Sequence, residues 1–401
     1  MTDRAPCRLW LLWAAFALVP VSGSAATMAQ AIHPSATGFS KIESLDVVAD
    51  QARLHLLLAG KQVGGGDAVV AYLSSDDRGA TWSRPVRLDQ TGDAPVISKR
   101  GNDVQIAVRG KTAVAVWQAQ GEFPGSGPMV VAFSIDGGKH WRRGSNPARG
   151  DGTHNQSYMD VATDAEGRVH VVWLDDREEN GNTQGLRYAR SNDLGRHWQP
   201  ETTIDHKVCT CCWTRLAMLG KGNPGVLYRD DSPHDMRLAS HGHRDWSDRS
   251  AVGGFGWDFT GCPHCGGGLT ADTAANRRFL YGVVWTGKES VAGLYFLASS
   301  DLGKTWSQPL AISDGHGREA DIAAASNRLA IVFSHETDEG MAVELRESRD
   351  RGVTWSPPRV LSSADAEADH PRIVATGDDL RAFWTEKTAD GGRIWAMSLI
   401  D

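Results

Sequence analysis

Short apolar stretches recur along the chain at nearly regular intervals. Most of them end in an aromatic residue, and each is followed by a polar loop and a second apolar stretch. Their short length and their enrichment in valine, leucine and aromatic residues predict buried β-strands. We interpret each one as the second strand of a repeated β unit: Leu54–Leu58, Val114–Trp117, Val169–Trp173, Gly225–Tyr228, Leu280–Trp285, Leu329–Phe333 and Leu380–Trp384.

A turn motif with the pattern Ser-x-Asp-x-Gly-x-(Thr/His)-Trp occurs five times between these stretches. In a tight turn the carboxylate accepts amide hydrogen bonds, the glycine adopts a positive φ, and the tryptophan packs back as an apolar anchor. We therefore interpret the motif as structural. A degenerate copy at Ser240–Trp246 has lost the spacing, and the complete copies have their acidic residues at Asp77, Asp136, Asp193, Asp301 and Asp350.

The motif resembles the Asp box, or BNR repeat, of the sialidase superfamily of β-propellers. The resemblance extends over most of the chain and implies an all-β propeller of four-stranded blades. The seven second strands favour seven blades, with six as the alternative. Only one strand, Ile394–Ile400, follows the last of them. Because an unpaired edge promotes aggregation, we expect residues 34–43 to pair beside that strand and close the ring.

The first 31 residues have the features of a cleaved secretory signal. Arg4 and Arg8 precede an apolar run, Leu9–Val21, and small residues follow it. The run is shorter than the roughly 20 residues of a membrane span. We therefore predict a signal peptide at residues 1–31, a single propeller domain at residues 32–401, no membrane span, and a secreted or periplasmic location. The net charge of −7 gives no support for nucleic-acid binding, and we expect a monomer.

Five cysteines follow the signal, and they lie in two loops. Cys209 and Cys262 are 53 residues apart, which is close to the repeat length, so the two loops should occupy equivalent positions in adjacent blades. The cysteines should then be neighbours in space. The candidate residues for a metal or disulfide site are Cys209, Cys211, Cys212, Cys262, Cys265 and His264.

The residues alone leave three alternatives for this cluster. In an oxidising compartment cysteines form disulfides, for example one joining the two loops, although an odd number leaves one thiol over. The same side chains offer soft ligands for copper or zinc. The Cys262-Pro263-His264-Cys265 stretch also has the spacing of a thiol redox motif.

The resemblance implies a second kind of site, because sialidases bind the sugar carboxylate with three arginines and use an Asp acid/base and a Tyr nucleophile paired with a Glu. Asp160 is the candidate for the acid/base, and Tyr158 is the candidate for the nucleophile. However, Phe39–Ile42 replaces the family's starting motif, and no tyrosine follows Tyr295. We therefore expect weak or absent sialidase turnover. The candidate arginines are Arg177, Arg229, Arg237, Arg318 and Arg372.

Two functional hypotheses follow. The first is a binding protein that takes a small molecule, a glycan or a metal on the propeller face, with the cysteine and histidine cluster holding copper or zinc. The second is a sialidase-type glycoside hydrolase or glycan-binding module. A structural interaction platform would fit the fold but would leave the cysteines unexplained.

Overall fold

The computed structural model describes residue 1 and residues 37–400, except for residues 91, 178–182, 221, 243–244, 247, 273–276 and 364–365. The predicted signal peptide therefore lies almost wholly outside the described residues. The described chain is built from β-strands, and a short 3-10 turn at Glu289–Val291 is its helical element. Among these residues no helix is long and apolar enough to cross a membrane.

The strands form successive antiparallel units in chain order. Five units have four strands each, the second has one additional short strand, and the last has three strands. The first unit consists of β1 Phe39–Asp50, β2 Arg53–Gln62, β3 Val69–Ser75 and β4 Val86–Arg87, and the second of β5 Val96–Ile97, β6 Gln105–Arg109, β7 Thr112–Ala119, β8 Met129–Ser134 and β9 Arg142–Arg143. The third consists of β10 Ser157–Thr163, β11 Val169–Asp175, β12 Gln184–Ser191 and β13 Thr202–Val208, and the fourth of β14 Arg215–Met218, β15 Pro224–Arg229, β16 Met236–Ser240 and β17 Asp248–Val252. The fifth consists of β18 Gly268–Asp272, β19 Phe279–Thr286, β20 Gly293–Ser299 and β21 Leu310–Ala311, the sixth of β22 Gly317–Ala325, β23 Arg328–Thr337, β24 Gly340–Ser348 and β25 Arg359–Val360, and the last of β26 Ala368–Thr376, β27 Asp379–Lys387 and β28 Arg393–Ile400.

The apolar stretches that the sequence analysis identified all lie in second strands, namely β2, β7, β11, β15, β19, β23 and β27. Their side chains are buried on both faces, as Trp173 and Trp384 show with no exposed surface. Each hydrophobic cluster among the described residues joins one unit to the next, so the units share their cores pairwise. This arrangement is typical of repeat architectures, in which every unit buries its faces against its neighbours.

The first and last units also pack together. Ile42 of β1 lies in one hydrophobic cluster with Phe383 and Trp395 of the last unit. The innermost strands contact one another in cyclic order, β1, β6, β10, β14, β18, β22 and β26, and β26 contacts β1. The units therefore enclose a central channel.

The predicted closing strand differs from the one observed. Residues 34–36 lie outside the described part of the chain, and Phe39–Asp50 forms the first strand of the first unit instead of a separate strand of the last one. Only the start of β1 reaches β28, through a single parallel pair between Lys41 and Arg393. The reason is that β1 pairs with β2 along its whole length, from Phe39 with Gln62 to Asp50 with Arg53, so it belongs to the first unit and meets β28 only at its start.

The turn motifs have the structural role that the sequence predicted. In the copy at Ser299–Trp306, the Ser299 hydroxyl accepts a hydrogen bond from Gly303 N at 2.7 Å and donates one to Asp301 at 2.8 Å. Asp301 also accepts bonds from the amide and hydroxyl of Thr305. These bonds lower the pKa of Asp301 to about 2, and the other four complete copies repeat the pattern.

Candidate metal centre

The two cysteine loops lie side by side, as the repeat spacing predicted. The first loop runs from the end of β13 to Arg215, and the second runs from Gly253 to Gly267 between β17 and β18. The first is anchored at its start, where Cys209 N donates to the Arg229 carbonyl at 3.1 Å. Contact between the loops is direct, because the Thr210 hydroxyl lies 3.5 Å from the Cys262 sulfur.

The cysteines and His264 form two overlapping groups of three candidate ligands. Cys209, Cys211 and Cys212 make up the inner group, in which all three residues are buried. Cys211, Cys262 and His264 make up the outer group, in which Cys262 and His264 are exposed. Within each group the candidate ligand atoms all lie within 4.8 Å of one another, and Cys211 belongs to both.

Cys265 differs from the prediction, because it belongs to neither group. It is buried, and its thiol lies 3.7 Å from the Gly266 carbonyl. The sequence spacing placed it in the right loop but did not show that its side chain turns into the core. The metal-competent set in the structure is therefore four cysteines and His264.

The five cysteines of the described chain are free thiols. Cys209 Sγ lies 2.6 Å from Cys212 Sγ and 3.8 Å from Cys211 Sγ. Both distances exceed the roughly 2.05 Å of a disulfide bond. Because Cys262 and Cys265 of the second loop are free as well, the described structure does not contain the inter-loop disulfide that the sequence analysis allowed.

Trp213 fixes the first loop against its surroundings. Its indole lies against two glycines, and a Cβ added at Gly266 would come 2.4 Å from Trp213 Cδ1. A Cβ added at Gly101, where φ is +85°, would come 2.6 Å from Trp213 Cε3. Only glycine leaves room for the ring at these two positions.

The inner thiols are held in their neutral form. The hydrogen bond with Cys211 raises the pKa of Cys209 to about 12, and burial raises the pKa of Cys212 above its ordinary value. Contact with Cys209 lowers the pKa of Cys211, but contact with Cys212 and burial outweigh it, so the net shift is upward. Three thiols in such a site ionise together only when a cation compensates their charge.

Arg229 places a fixed positive charge beside the inner group. Its guanidinium is 1% exposed and donates to the carbonyls of His234, Cys265 and Trp285. Its charge acts against the rise in pKa of Cys212. Because all three bonds are to backbone carbonyls, Arg229 is a structural residue. Its guanidinium is not available for bidentate hydrogen bonding to a sugar carboxylate.

Two further candidate arginines also have their own partners. Arg177 pairs with Asp175 at 2.5 Å and with Glu201 at 2.6 Å. Arg237 pairs with Asp230 at 2.8 Å. Arg177 and Arg237 have no partner in common, so these guanidinium groups neutralise carboxylates in separate parts of the fold.

The last two arginines lie apart from these. Arg318 is about half exposed, 4.0 Å from Glu336, and Arg372 lines the channel and pairs with Asp103 at 3.0 Å. Each of the five predicted arginines thus has a different environment. The described contacts do not bring three of them onto one ligand position.

Tyr158 and Asp160, the candidate nucleophile and acid/base, are both buried. Burial, reinforced by the neighbouring cysteines, raises the pKa of Tyr158 well above its ordinary value, so the phenol is not activated as a nucleophile. Asp160 accepts a hydrogen bond from Leu216 N at 2.7 Å, which joins its unit to the next. Asp160 is therefore a structural link between innermost strands.

The channel contains charged residues that the sequence analysis did not select. Arg215 is partly buried, its Nε and Nη2 atoms are buried without a hydrogen-bond partner among the described residues, and its charge interacts with the carboxylates of Asp46, Asp160 and Asp321. Burial raises the pKa of Asp46 to about 7, although Arg372 and Arg215 act in the opposite direction. These residues line a cavity of about 360 Å³. Three of the acids accept backbone bonds from the next unit, in the pairs Asp46 with Ile106, Asp160 with Leu216, and Asp321 with Ile373.

A small polar chamber lies at the mouth of the channel. It has a volume of about 20 Å³, enough for one water molecule, and it is lined by Trp213, Glu319 and His370 among others. Each of these three side chains has a buried polar atom without a hydrogen-bond partner in the described protein. Glu319 and His370 have positive φ values of 51° and 56°, two residues before a channel residue in each case. The sequence signal that could have identified Glu319 and His370 is this shared spacing, in which each lies two positions before a charged residue, Asp321 or Arg372.

Comparison with known proteins supports the fold. Residues 40–224 match the family model described as a BNR repeat-like domain. No curated protein matches the sequence significantly. Similar solved structures include an ulvan lyase from a new family of polysaccharide lyases, with a TM-score of 0.58, 12% identity and coverage of 91% of this chain and 95% of that one.

Two further structures have similar statistics. A protein of unknown function from Dyadobacter fermentans has a TM-score of 0.53 and 12% identity over 93% of this chain and 97% of that one. A Trypanosoma rangeli sialidase has a TM-score of 0.48 and 12% identity over 90% of this chain and 54% of that one, which is too distant to transfer any property. Identities this low show a shared fold alone. The match at residues 40–224 and the five Asp boxes together support an all-β fold of BNR-type repeats.

Proposed function

We propose that this protein is a secreted or periplasmic binding propeller whose cysteine and histidine cluster binds a soft metal ion, copper(I) or zinc. The observation that carries the proposal is the pair of overlapping ligand groups built from Cys209, Cys211, Cys212, Cys262 and His264. Support for the location comes from the predicted signal peptide. Thiolate ligands select Cu(I) and zinc over hard cations such as magnesium and calcium.

Part of the inner group already has the spacing of a three-coordinate site. Metal–sulfur bonds of about 2.3 Å at 120° would place the sulfurs about 4.0 Å apart. Cys209 and Cys211 are 3.8 Å apart, whereas Cys209 and Cys212, at 2.6 Å, would have to separate by about 1.4 Å for such an ion to bind. Structural zinc is almost always tetrahedral. Among the described residues the inner group has three thiols and no fourth ligand, which favours Cu(I).

The charges around the cluster suit a thiolate site. An ion with a single positive charge on three thiolates carries a net charge of −2. The buried Arg229 guanidinium lies where it offsets part of that charge, since it already acts on Cys212. Burial would otherwise oppose formation of the thiolates.

The redox alternative has less support. Burial raises the pKa of Cys265 to about 11, the opposite of the depressed pKa that a redox-active thiol requires. Cys265 also has no fixed helix N-terminus beside it, because the loop leads into strand β18. The Cys262–Cys265 pair therefore lacks the features of a thiol-exchange motif.

Metal content and thiol titration of protein from its native compartment test the proposal. We expect one equivalent of copper or zinc and four or five titratable thiols after unfolding and chelation. Cys211→Ser should abolish binding, because Cys211 belongs to both groups. Cys265→Ala is the matched control, because it removes a nearby buried thiol that belongs to neither ligand group and should retain the ion. One thiol with no metal would overturn the proposal.

The glycoside hydrolase alternative predicts a different result. The five candidate arginines have separate partners, and Tyr158 is buried with a raised pKa. We expect the protein to release no fluorophore from a fluorogenic sialoside above the rate of the Arg372→Ala variant. Turnover that is lost in that variant would show that an arginine of the channel binds the sugar.

A further inference from the structure

We propose that the cluster has two ion positions that share Cys211: an outer position where the ion enters and an inner position where it is held. This inference rests on the proposed metal-binding function. The outer position consists of Cys211, Cys262 and His264, and the inner position consists of Cys209, Cys211 and Cys212. The ion would pass between them by exchange of ligands on a single loop.

The difference in exposure sets the order of the two positions. Cys262 and His264 are exposed, so an incoming ion can reach them without any movement of the fold. Cys209, Cys211 and Cys212 are 3%, 4% and 2% exposed. The outer position is therefore the more accessible of the two, and Cys211 connects it to the inner one.

The shared ligand makes the transfer continuous. A thiolate sulfur has several lone pairs and can bind two positions in turn, so the ion keeps its bond to Cys211 while the other two ligands change. The bonds to Cys262 and His264 break, and bonds to Cys209 and Cys212 form. Cys209 and Cys212 release two protons, Cys262 takes up one, His264 leaves as a neutral imidazole, and the second proton goes to solvent. The oxidation state of the ion does not change.

The chemistry of the two ligand sets drives the ion inward. The inner position offers three sulfurs, and the outer one offers two sulfurs and a nitrogen, so a soft ion prefers the inner position.

Uptake kinetics and equilibrium affinity of Cu(I) separate the two positions. Purified protein, freed of metal under reducing conditions, is mixed with Cu(I) held by a chromophoric chelator. Transfer is followed by the loss of the chelator complex. His264→Ala and Cys262→Ser change the outer position only, and Cys209→Ser and Cys212→Ser change the inner position only. Cys265→Ala serves as the control for changes to a buried thiol, with near-UV circular dichroism to show that each variant is folded.

The expected result is a split between rate and affinity. The outer variants should take up the ion at least about tenfold more slowly than the native protein. Their equilibrium affinity should remain close to the native value. The inner variants should keep the rapid first step but lose affinity by more than the roughly 10–100-fold that even supporting residues contribute to a metal site. The native protein and Cys265→Ala should both bind one ion.

Three outcomes would overturn the inference. Equal losses of affinity in the outer and inner variants, with unchanged uptake rates, would mean one site made of all the ligands; the proposed metal-binding function would then survive. Two ions held at equilibrium would also contradict it, because an entry position must be empty once transfer is complete. Failure of the native protein to bind Cu(I) at all would remove the proposed function as well.

Discussion

The side-chain pairs that hold this fold together are repeated from unit to unit with small changes. His55 on β2 and Tyr72 on β3 lie 2.7 Å apart, and His170 on β11 and Tyr188 on β12 lie 2.9 Å apart. All four side chains are buried. A histidine of this kind is neutral in the native state, because burial disfavours its charged form.

The His55 pair predicts a pH dependence of stability. Burial, with a smaller effect of Arg53, lowers the pKa of His55 from 6.5 to about 4. The stabilisation is fully present above pH 6.5 and is lost as the pH falls through 4, because the unfolded chain takes up the proton first. Each pKa unit corresponds to about 1.4 kcal/mol, so the loss is on the order of 3 kcal/mol.

The variant His55→Gln tests this dependence, since glutamine does not titrate. Its free energy of unfolding, relative to the native protein, should rise as the pH is lowered from 7 to 4. Urea unfolding at several pH values, followed by tryptophan fluorescence, gives this difference. A difference that does not vary with pH would mean that His55 is protonated at the same pH in both states.

At the scale of loops and strands, the candidate site depends on close contacts between elements. The loop with Cys209 follows β13 and the loop with Cys262 precedes β18, so they come from different units and meet at their shared boundary. Trp213 connects them, because Gly266 of the second loop lies directly against its ring. The ligands are thus positioned by packing of the indole as well as by the strands.

Gly266→Ala should disturb this contact. The added methyl group would come 2.4 Å from Trp213 Cδ1, so the ring or the loop must move. Overpacking of this kind lowers the free energy of unfolding by about 1–3 kcal/mol. We also expect weaker metal binding, measured by chelator competition.

Gly254→Ala is the matched control, because a Cβ there meets no atom within 4 Å, although its φ of +58° adds some strain. Retention of native metal affinity in Gly266→Ala would show that Trp213 does not position the cysteine loops.

At the scale of the whole molecule, stability depends on contact between the two ends of the described chain. Ile42 is 1% exposed and packs with Phe383 and Trp395, whereas backbone pairing between β1 and β28 is limited to Lys41 and Arg393. The closure is therefore held mainly by side-chain packing. The Asp boxes contribute elsewhere, by fixing the turns between third and fourth strands.

Ile42→Ala should weaken this closure. Removal of a buried isoleucine typically lowers the free energy of unfolding by about 2–5 kcal/mol. Lys41→Ala, at a side chain that is 52% exposed, should change it by less than about 0.5 kcal/mol. The midpoints of urea unfolding compare the two variants directly. Equal midpoints would show that packing at Ile42 does not limit the stability of the ring.

The sequence by itself determined the repeat and the turn chemistry. Second strands such as Val169–Trp173 are apolar along their whole length, and the Ser, Asp and Gly of each box are local requirements of one turn. The spacing of Cys209 and Cys262 also predicted that their loops meet, because equivalent positions in adjacent repeats are neighbours.

Only the tertiary structure decided which side chains share a site. Cys211 belongs to both ligand groups while Cys265 turns into the core, and this depends on loop conformation, which no local pattern encodes. Arg215 and Asp46 meet in the channel although 169 positions separate them in the sequence. The five candidate arginines have separate partners for the same reason: ion pairing depends on distances between units, which are set by the packing of the whole ring.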